Sequence, residues 1–109
     1  MAVTSPFGSQ SRTRLLVALE LLGQTYPREL ARLLGSSLSA TQKGLESLER
    51  DGLVVGRLVG RTRVVQLNPA YFALKEVRAL VGRLVESDRE LASRIAALRR
   101  RPRKSGKRL

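Results

Sequence analysis

The sequence contains no cysteine, no histidine and no tryptophan, and only two tyrosines and two phenylalanines. Without cysteine the chain has no disulfide and no thiolate chemistry, which agrees with a reducing cytosol. The lack of both cysteine and histidine excludes a Cys/His zinc site and a His-dependent catalytic triad. Aromatic residues make up only 4% of the chain, so we expect no stacking platform for single-stranded nucleic acid.

Long hydrophobic runs and catalytic motifs are also missing. No stretch approaches the roughly 18 apolar residues of a membrane-spanning helix, and the opening MAVTSPFGSQSR lacks the apolar region of a secretory signal. We find no Walker loop, no G-x-G-x-x-G, no nucleophile paired with a base and no metal-ligand cluster. We therefore expect a cytoplasmic, nucleoid-associated protein that is not an enzyme, binds no membrane, and holds no metal or cofactor.

Positive charge is what the chain has in excess. Its 109 residues include 21 Lys and Arg against 9 Asp and Glu, a formal net charge of +12. The end of the chain, 99–109, reads RRRPRKSGKRL and has seven basic residues and no acidic one, so we expect a disordered basic tail. A second acid-free stretch contains Arg57, Arg61, Arg63 and Lys75. Two basic regions in one small domain indicate contact with nucleic acid, although a basic tail can also act only as a solubilising end.

Hydrophobic periodicity divides the rest of the chain into helices and one hairpin. After a loose lead-in over 1–10, the period of 3.6 predicts helices over 11–22, 27–34 and 38–50. The period then falls to about 2 in LVVGRLV and TRVVQL, which predicts a β-hairpin over 53–67. A fourth helix is expected over 70–86. It either continues to residue 99 or breaks at the capping-box pattern Ser87-x-x-Glu90 before a fifth helix.

The first and fourth predicted helices have wider apolar surfaces than an ordinary surface helix. In so small a chain we expect the additional cover to come from another subunit, with a dimerisation segment over 69–98. The predicted dimer interface consists of Leu16, Val17, Leu21, Val77, Leu80, Val81 and Leu84.

The order of these elements predicts the fold class. Three helices, the last two joined by the short turn 35–37, are followed by a hairpin. This is the order of a winged helix-turn-helix over 11–68, a mainly α structure with a small β-hairpin (α+β), here with C-terminal dimerisation helices. The short turn makes the second and third helices cross, which leaves one face of the third helix free to enter a major groove about 12 Å wide.

The chain also resembles a known family. The segments RELARLLGSSLSATQKGLESLERDGLV (28–54) and VGRTRVVQLNP (59–69) are similar to bacterial or archaeal winged-helix transcriptional regulators of the ArsR/MarR type. The resemblance covers about residues 5–98. It implies that a homodimer binds double-stranded DNA. The chain lacks the Cys and His clusters of metal-sensing relatives.

By this resemblance the third helix reads bases and the hairpin holds the backbone. The residues expected at base edges are Ser39, Ala40, Gln42 and Lys43. Those expected at phosphates or in the minor groove are Arg57, Arg61, Arg63, Ser37 and Arg28. The alternative is that the helix face is merely solvated and that the arginines protect a strand edge. Gly44 is unusual inside a helix, and the close approach of the second helix or of a DNA backbone would explain it.

Two other functions fit the same residues. The high charge would also suit a non-specific nucleic-acid binder, either nucleoid-associated or RNA-bound. A winged helix can also serve as a protein-interaction module. The sequence does not define the operator, the regulated genes, the sign of regulation or any effector.

Overall fold

The structure is a computed structural model that describes residues 6–100, with side chains through residue 98. The described elements are α1 (Gln10–Leu22), β1 (Gln24–Thr25), α2 (Pro27–Leu34), α3 (Leu38–Arg50), β2 (Val54–Val59), β3 (Thr62–Leu67), α4 (Leu74–Val85) and α5 (Arg89–Arg100). The first five residues of the predicted lead-in (1–10) and residues 101–109 of the predicted basic tail (99–109) lie outside the described residues. The backbone of residues 99 and 100, which we assigned to the tail, belongs to α5.

The strands form an antiparallel sheet in the order β1-β3-β2. The hairpin of β2 and β3, called the wing below (residues 54–67), pairs in register from Val54↔Leu67 to Val59↔Thr62. Its turn uses Gly60 with φ of 65°, a left-handed conformation that glycine adopts without strain. The hairpin and the mainly α character of the fold are confirmed. β1 was not predicted, because two residues are too few to show an alternation.

Side-chain caps set most of the helix starts. α1 begins one residue before the predicted start, because Ser9 caps it by accepting a hydrogen bond from the backbone N–H of Arg12 (3.1 Å). α3 begins at the predicted residue, where Ser37 Oγ accepts from the backbone N–H of Ala40 at 3.0 Å.

The predicted start of α4 near residue 70 is wrong. Asn68 donates to the carbonyl of Gly52 and accepts from the backbone of Ala70, both at 2.9 Å. These bonds tie the end of β3 to the start of β2 and form a turn, so the helix begins only at Leu74.

α4 ends at Val85 and α5 begins at Arg89, so the two segments do not form one continuous helix. Asp88, one residue after the predicted cap at Ser87, accepts from the backbone of Leu91 at 3.2 Å. Ser87 instead donates to the carbonyl of Leu84 at 2.7 Å. Asp88 also pairs with Arg14 at 2.8 Å, which fixes the break against α1.

One hydrophobic core joins the five described helices and the sheet. α3 turns one face into this core, since Thr41, Leu45 and Leu48 are buried. Gly44 lies where α1 crosses α3: a Cβ added there would be 2.6 Å from Leu15 Cδ1. α1 is therefore the element that approaches Gly44 closely. We had expected the second helix or a DNA backbone in this place.

We expected another subunit to cover the wide apolar surface of α1, but the core of the single chain already covers it. Leu16 and Val17 are 0% and 2% exposed in the single chain, and Val81 is 0% exposed. The cover comes from α5, which folds back so that Leu91 and Ile95 enter the same core. These buried side chains, like the buried Leu84, offer a partner no accessible surface.

Candidate nucleic-acid interface

The exposed face of α3 carries the residues predicted to read bases. Because Thr41, Leu45 and Leu48 turn inward, the opposite side of the helix faces solvent. Ser39, Ala40, Gln42 and Lys43 are all exposed. Helical geometry therefore presents them together on the surface, as a helix entering a groove requires.

A surface groove of about 570 Å³ runs between the start of α2, the first half of α3 and the wing. Its lining residues are Tyr26, Pro27, Arg28, Leu38, Gln42, Arg61, Thr62 and Arg63. The groove brings four of the predicted site residues to one place, one from α2, one from α3 and two from the wing. Three of these four are arginines, so the groove attracts anions.

Arg57 lies apart from this groove. Side chains alternate along a strand, so Arg57 points to the face of β2 opposite that of its neighbour Gly56. Gly56 is on the side of α3, because a Cβ added there would be 3.1 Å from Glu49 Oε2. Arg57 is exposed, but on the other face of the wing. The structure therefore does not bring it together with Gln42 and Arg61.

Arg63 is held by a partner that sequence reasoning missed. Its Nη2 pairs with Oε2 of Glu49 on α3, and the pair crosses directly over Gly56. A Cβ on Gly56 would be 2.9 Å from Arg63 Nε, so glycine leaves the room that the pair needs. The pair ties the wing to α3, and Arg63 thus fixes the position of the wing. The only sequence signal was a glycine inside a strand.

Some of the basic side chains form ion pairs and others do not. Within residues 6–98, the ion pairs are Arg12–Asp51, Arg14–Asp88, Arg63–Glu49, Arg78–Glu20 and Arg94–Glu90. In the Arg78–Glu20 pair, the hydrogen bond and the charge of Glu20 raise the pKa of Arg78. Arg28, Lys43, Arg57 and Arg61 join none of these pairs and are exposed. These four cations of the predicted site are therefore available to phosphates.

The predicted site residues do not include the apolar and acidic members of this surface. Leu58 on β2 is 73% exposed, and Tyr26 at the groove is 38% exposed. Glu46 is exposed on α3 one turn beyond Lys43. The helical period of α3 was the signal for Glu46, whereas no pattern marks a solvent-exposed leucine in a hairpin.

The described residues contain no group of three or more carboxylate, histidine or cysteine side chains placed to hold a metal ion. Within the same part of the chain, no helix has the length and apolar content needed to cross a membrane.

Comparison with known proteins identifies the fold. No protein-family model matches the sequence, and no curated protein matches it. The solved structures that match include three bacterial proteins. Adhesin competence repressor (AdcR) from Streptococcus pyogenes gives a TM-score of 0.62 at 17% identity, over 80% of this chain and 64% of that chain. The MarR family transcriptional regulator SPO1453 from Silicibacter pomeroyi DSS-3 gives 0.56 at 25% identity, over 81% and 60%. A variant of ZitR from Lactococcus lactis gives 0.60 at 16% identity, over 86% and 67%.

The chain thus has the winged-helix fold of MarR-type regulators, and the predicted resemblance is confirmed at the level of the fold. It spans less than two thirds of the length of the first two of these proteins.

Proposed function

We propose that this protein is a sequence-specific, double-stranded DNA-binding transcriptional regulator that acts as a homodimer and is not an enzyme. The observation that carries the proposal is the cationic groove between α3 and the wing, which joins Gln42 to Arg28 and Arg61. α3 enters the major groove, and the wing lies on the adjacent backbone or minor groove. Such a protein acts at the chromosome, in the cytoplasm.

Base reading falls to the exposed face of α3. Gln42 can bond adenine in a bidentate manner, Lys43 can donate to guanine, and Ser39 can bond either. Ala40 offers only a methyl group, which suits the methyl of thymine. The carboxylate of Glu46, on the same exposed side, can accept from the amino group of cytosine. Each good base contact contributes about 1–3 kcal/mol of discrimination.

Phosphate binding falls to the rim of the same face. Arg28 on α2 and Arg61 on the wing both line the groove, so a DNA strand lying in it meets cations from two elements. The hydroxyl of Ser37, at the N-terminus of α3, is exposed and can donate to a phosphate. Arg57 reaches backbone only from the outer face of the wing. These contacts fix position and contribute affinity, while the bases select the sequence.

The dimer proposal rests on those predicted interface residues that the single chain does not bury completely. Leu80 is 42% exposed, and Leu21 and Val77 are partly buried against the core. A homodimer would place two copies of α3 in successive major grooves about 34 Å apart, and its operator would be an imperfect palindrome.

Selection of bound sites from a random duplex library at ~0.15 M salt tests the proposal, followed by titration of the winner against a scrambled duplex. We expect a palindromic motif bound at least ~10³-fold tighter than the scramble. Gln42→Ala and Lys43→Ala should reduce that ratio. Arg89→Ala, which removes an exposed cation from α5, is the control and should leave it unchanged.

Two other outcomes would overturn specific regulation. Binding without an enriched motif would indicate a non-specific binder driven by the net charge of +12. No binding to any duplex would favour a protein-interaction module, for which the exposed Leu58 on the wing is the supporting observation.

A further inference from the structure

The free edge of β2 is the part of the wing that lies outside the cationic groove. Within the described residues, β2 is the last strand in the order β1-β3-β2 and pairs only with β3. None of the residues that line the groove belongs to β2. Three apolar side chains of this strand are exposed, 39% at Val55, 73% at Leu58 and 49% at Val59. This edge can therefore take a partner while the groove holds DNA.

The backbone of β2 offers hydrogen-bonding groups along this edge. The N–H of Asn68 donates to the carbonyl of Leu53 at 2.9 Å, and bonded and non-bonded pairs alternate along an antiparallel ladder. In the register of the wing, Val55 and every second residue after it therefore direct their backbone groups to β3. Gly56 and Leu58 direct theirs to the free edge. Neither residue takes part in the backbone hydrogen bonds that residues 6–100 form outside the helices and strands.

β2 lacks the features that usually protect an edge strand. Natural proteins blunt such edges with lysine, proline, a bulge or a covering segment. The six residues VVGRLV contain neither lysine nor proline, and their pairing with β3 runs from Val54 to Val59 without a bulge. The exposed side chains show that no described segment covers the outer part of the strand. An edge left open in this way is a template for a further strand.

The side chains of β2 define the chemistry of that further strand. Side chains alternate along a strand, so Val55, Arg57 and Val59 share one face. Within residues 6–98, Arg57 joins none of the ion pairs. A strand on this edge therefore meets a free cation between two apolar side chains. An acidic residue opposite Arg57, with apolar residues two positions away on each side, complements this face because such cross-strand pairs stabilise a sheet.

Two other occupants fit this edge less well. The wing, residues 54–67, has three arginines and no acidic residue. The β2 strand of a second copy would therefore bring like charges together, which destabilises strand pairing. A DNA backbone would pair with Arg57 but would leave the exposed valines and the free backbone groups of Gly56 and Leu58 without partners.

We propose that the free edge of β2 binds an extended, acidic segment of another protein, which adds to the three-stranded sheet as a fourth strand. The acidic side chain lies opposite Arg57, and apolar side chains pack against Val55 and Val59. Main-chain hydrogen bonds supply the affinity, and the alternate side chains supply the specificity. This function goes beyond DNA binding and does not depend on it, since the groove and the edge use different residues of the wing.

Titration of the full 109-residue chain with the capped peptide TVTETVT, followed by amide NMR, tests this edge. The peptide presents glutamate between two valines on one face of a strand. We expect saturable shifts at the amides of Gly56 and Leu58 below about 5 mM peptide, a range that detects weak binding. Residues opposite Arg57 and its face direct their N–H groups away from β2. Methyl groups on the threonine nitrogens beside the glutamate should therefore abolish binding, whereas methyl groups on the valine and glutamate nitrogens should not.

Charge reversal at Arg57 tests the chemistry of the partner. Arg57→Glu should weaken binding of TVTETVT by about fivefold or more, because it replaces an attractive cross-strand pair with a repulsive one. The peptide TVTKTVT should bind this variant about as tightly as TVTETVT binds the wild type. Arg89→Glu makes the same charge change at an exposed position of α5 and is the matched control. It should bind both peptides as the wild type does.

Four results would overturn the inference. The first is the absence of saturable shifts at Gly56 and Leu58, and the second is equal binding of the two methylated peptides. Shifts at the same amides when the concentration of the chain alone is raised would assign the edge to a second copy. Shifts there on addition of a DNA duplex that the peptide does not reproduce would assign it to DNA.

Discussion

Replacing Gly44 by alanine should destabilise the protein, whereas the same replacement at Gly82 should stabilise it. Both glycines lie inside helices, Gly44 in α3 and Gly82 in α4. A Cβ at Gly44 would be 2.6 Å from Leu15 Cδ1, while a Cβ at Gly82 would meet nothing within 4 Å. The two variants therefore share the gain in helix propensity and differ in the space available.

The magnitude follows from two opposing terms. Alanine is favoured over glycine in a helix interior by about 0.8–1.0 kcal/mol, which should be the whole effect at Gly82. At Gly44 the added methyl group pushes on Leu15, which is 1% exposed and would have to shift within the core. Overpacking of a core costs about 1–3 kcal/mol. The free energies of unfolding of the two variants should thus differ by about 1–3 kcal/mol, with Gly44→Ala the less stable.

Equilibrium urea denaturation at low protein concentration measures this difference as a shift of the midpoint at constant slope. The double variant Leu15→Val/Gly44→Ala adds a second test, because the shorter side chain makes room for the methyl group. It should be more stable than the sum of the single changes predicts. If Gly44→Ala raised the midpoint as much as Gly82→Ala, glycine would not be needed for the approach of α1 to α3.

Three further predictions concern DNA binding. Arg61→Ala should weaken binding to every duplex and reduce the slope of log K against log salt by about 0.9; an unchanged slope would show that Arg61 contacts no phosphate. Gly56→Ala should displace the Arg63–Glu49 pair and weaken the specific complex in a gel-shift titration. The melting temperature should change little, because a partly exposed ion pair contributes only about 0–1 kcal/mol. Wild-type affinity of this variant would show that the pair does not position the wing. Deleting residues 99–109 should weaken binding to specific and scrambled duplexes alike in fluorescence anisotropy, and a loss confined to the specific complex would mean that the tail reads a groove.

Local patterns predicted those features that local chemistry determines. The period of Thr41, Leu45 and Leu48 identified the inner face of α3, and hence its outer face, because a helix must bury its apolar stripe. The Ser37 cap and the hairpin turn at Gly60 were predictable because a side-chain acceptor and a glycine meet local needs of the backbone.

Features that depend on the packing of distant segments were not predictable. The periodicity of Leu16 and Val17 shows that α1 is covered on several sides, but it does not show which segment covers it. Asn68 before a proline reads as a helix start, yet its bond to the Gly52 carbonyl, 16 residues away, makes a turn. The Glu49–Arg63 pair joins α3 to β3 across 14 residues, and no local rule couples them. The exposed placement of the predicted residues on α3 was thus predictable, but not which arginines of the candidate site form ion pairs.

The attachment of the wing creates a gradient of local stability along its length. At its root, Val65 is 0% exposed and pairs with β1 on one side and β2 on the other. At its end, Leu58, Gly60 and Arg61 are exposed and lack a third strand. Local opening is easiest where backbone hydrogen bonds are exposed and apolar contacts are few. Amide hydrogens at the root should therefore exchange only with global unfolding, and those at the end through local fraying. The wing thus has a rigid root and a compliant end, which can change its shape without loosening the core.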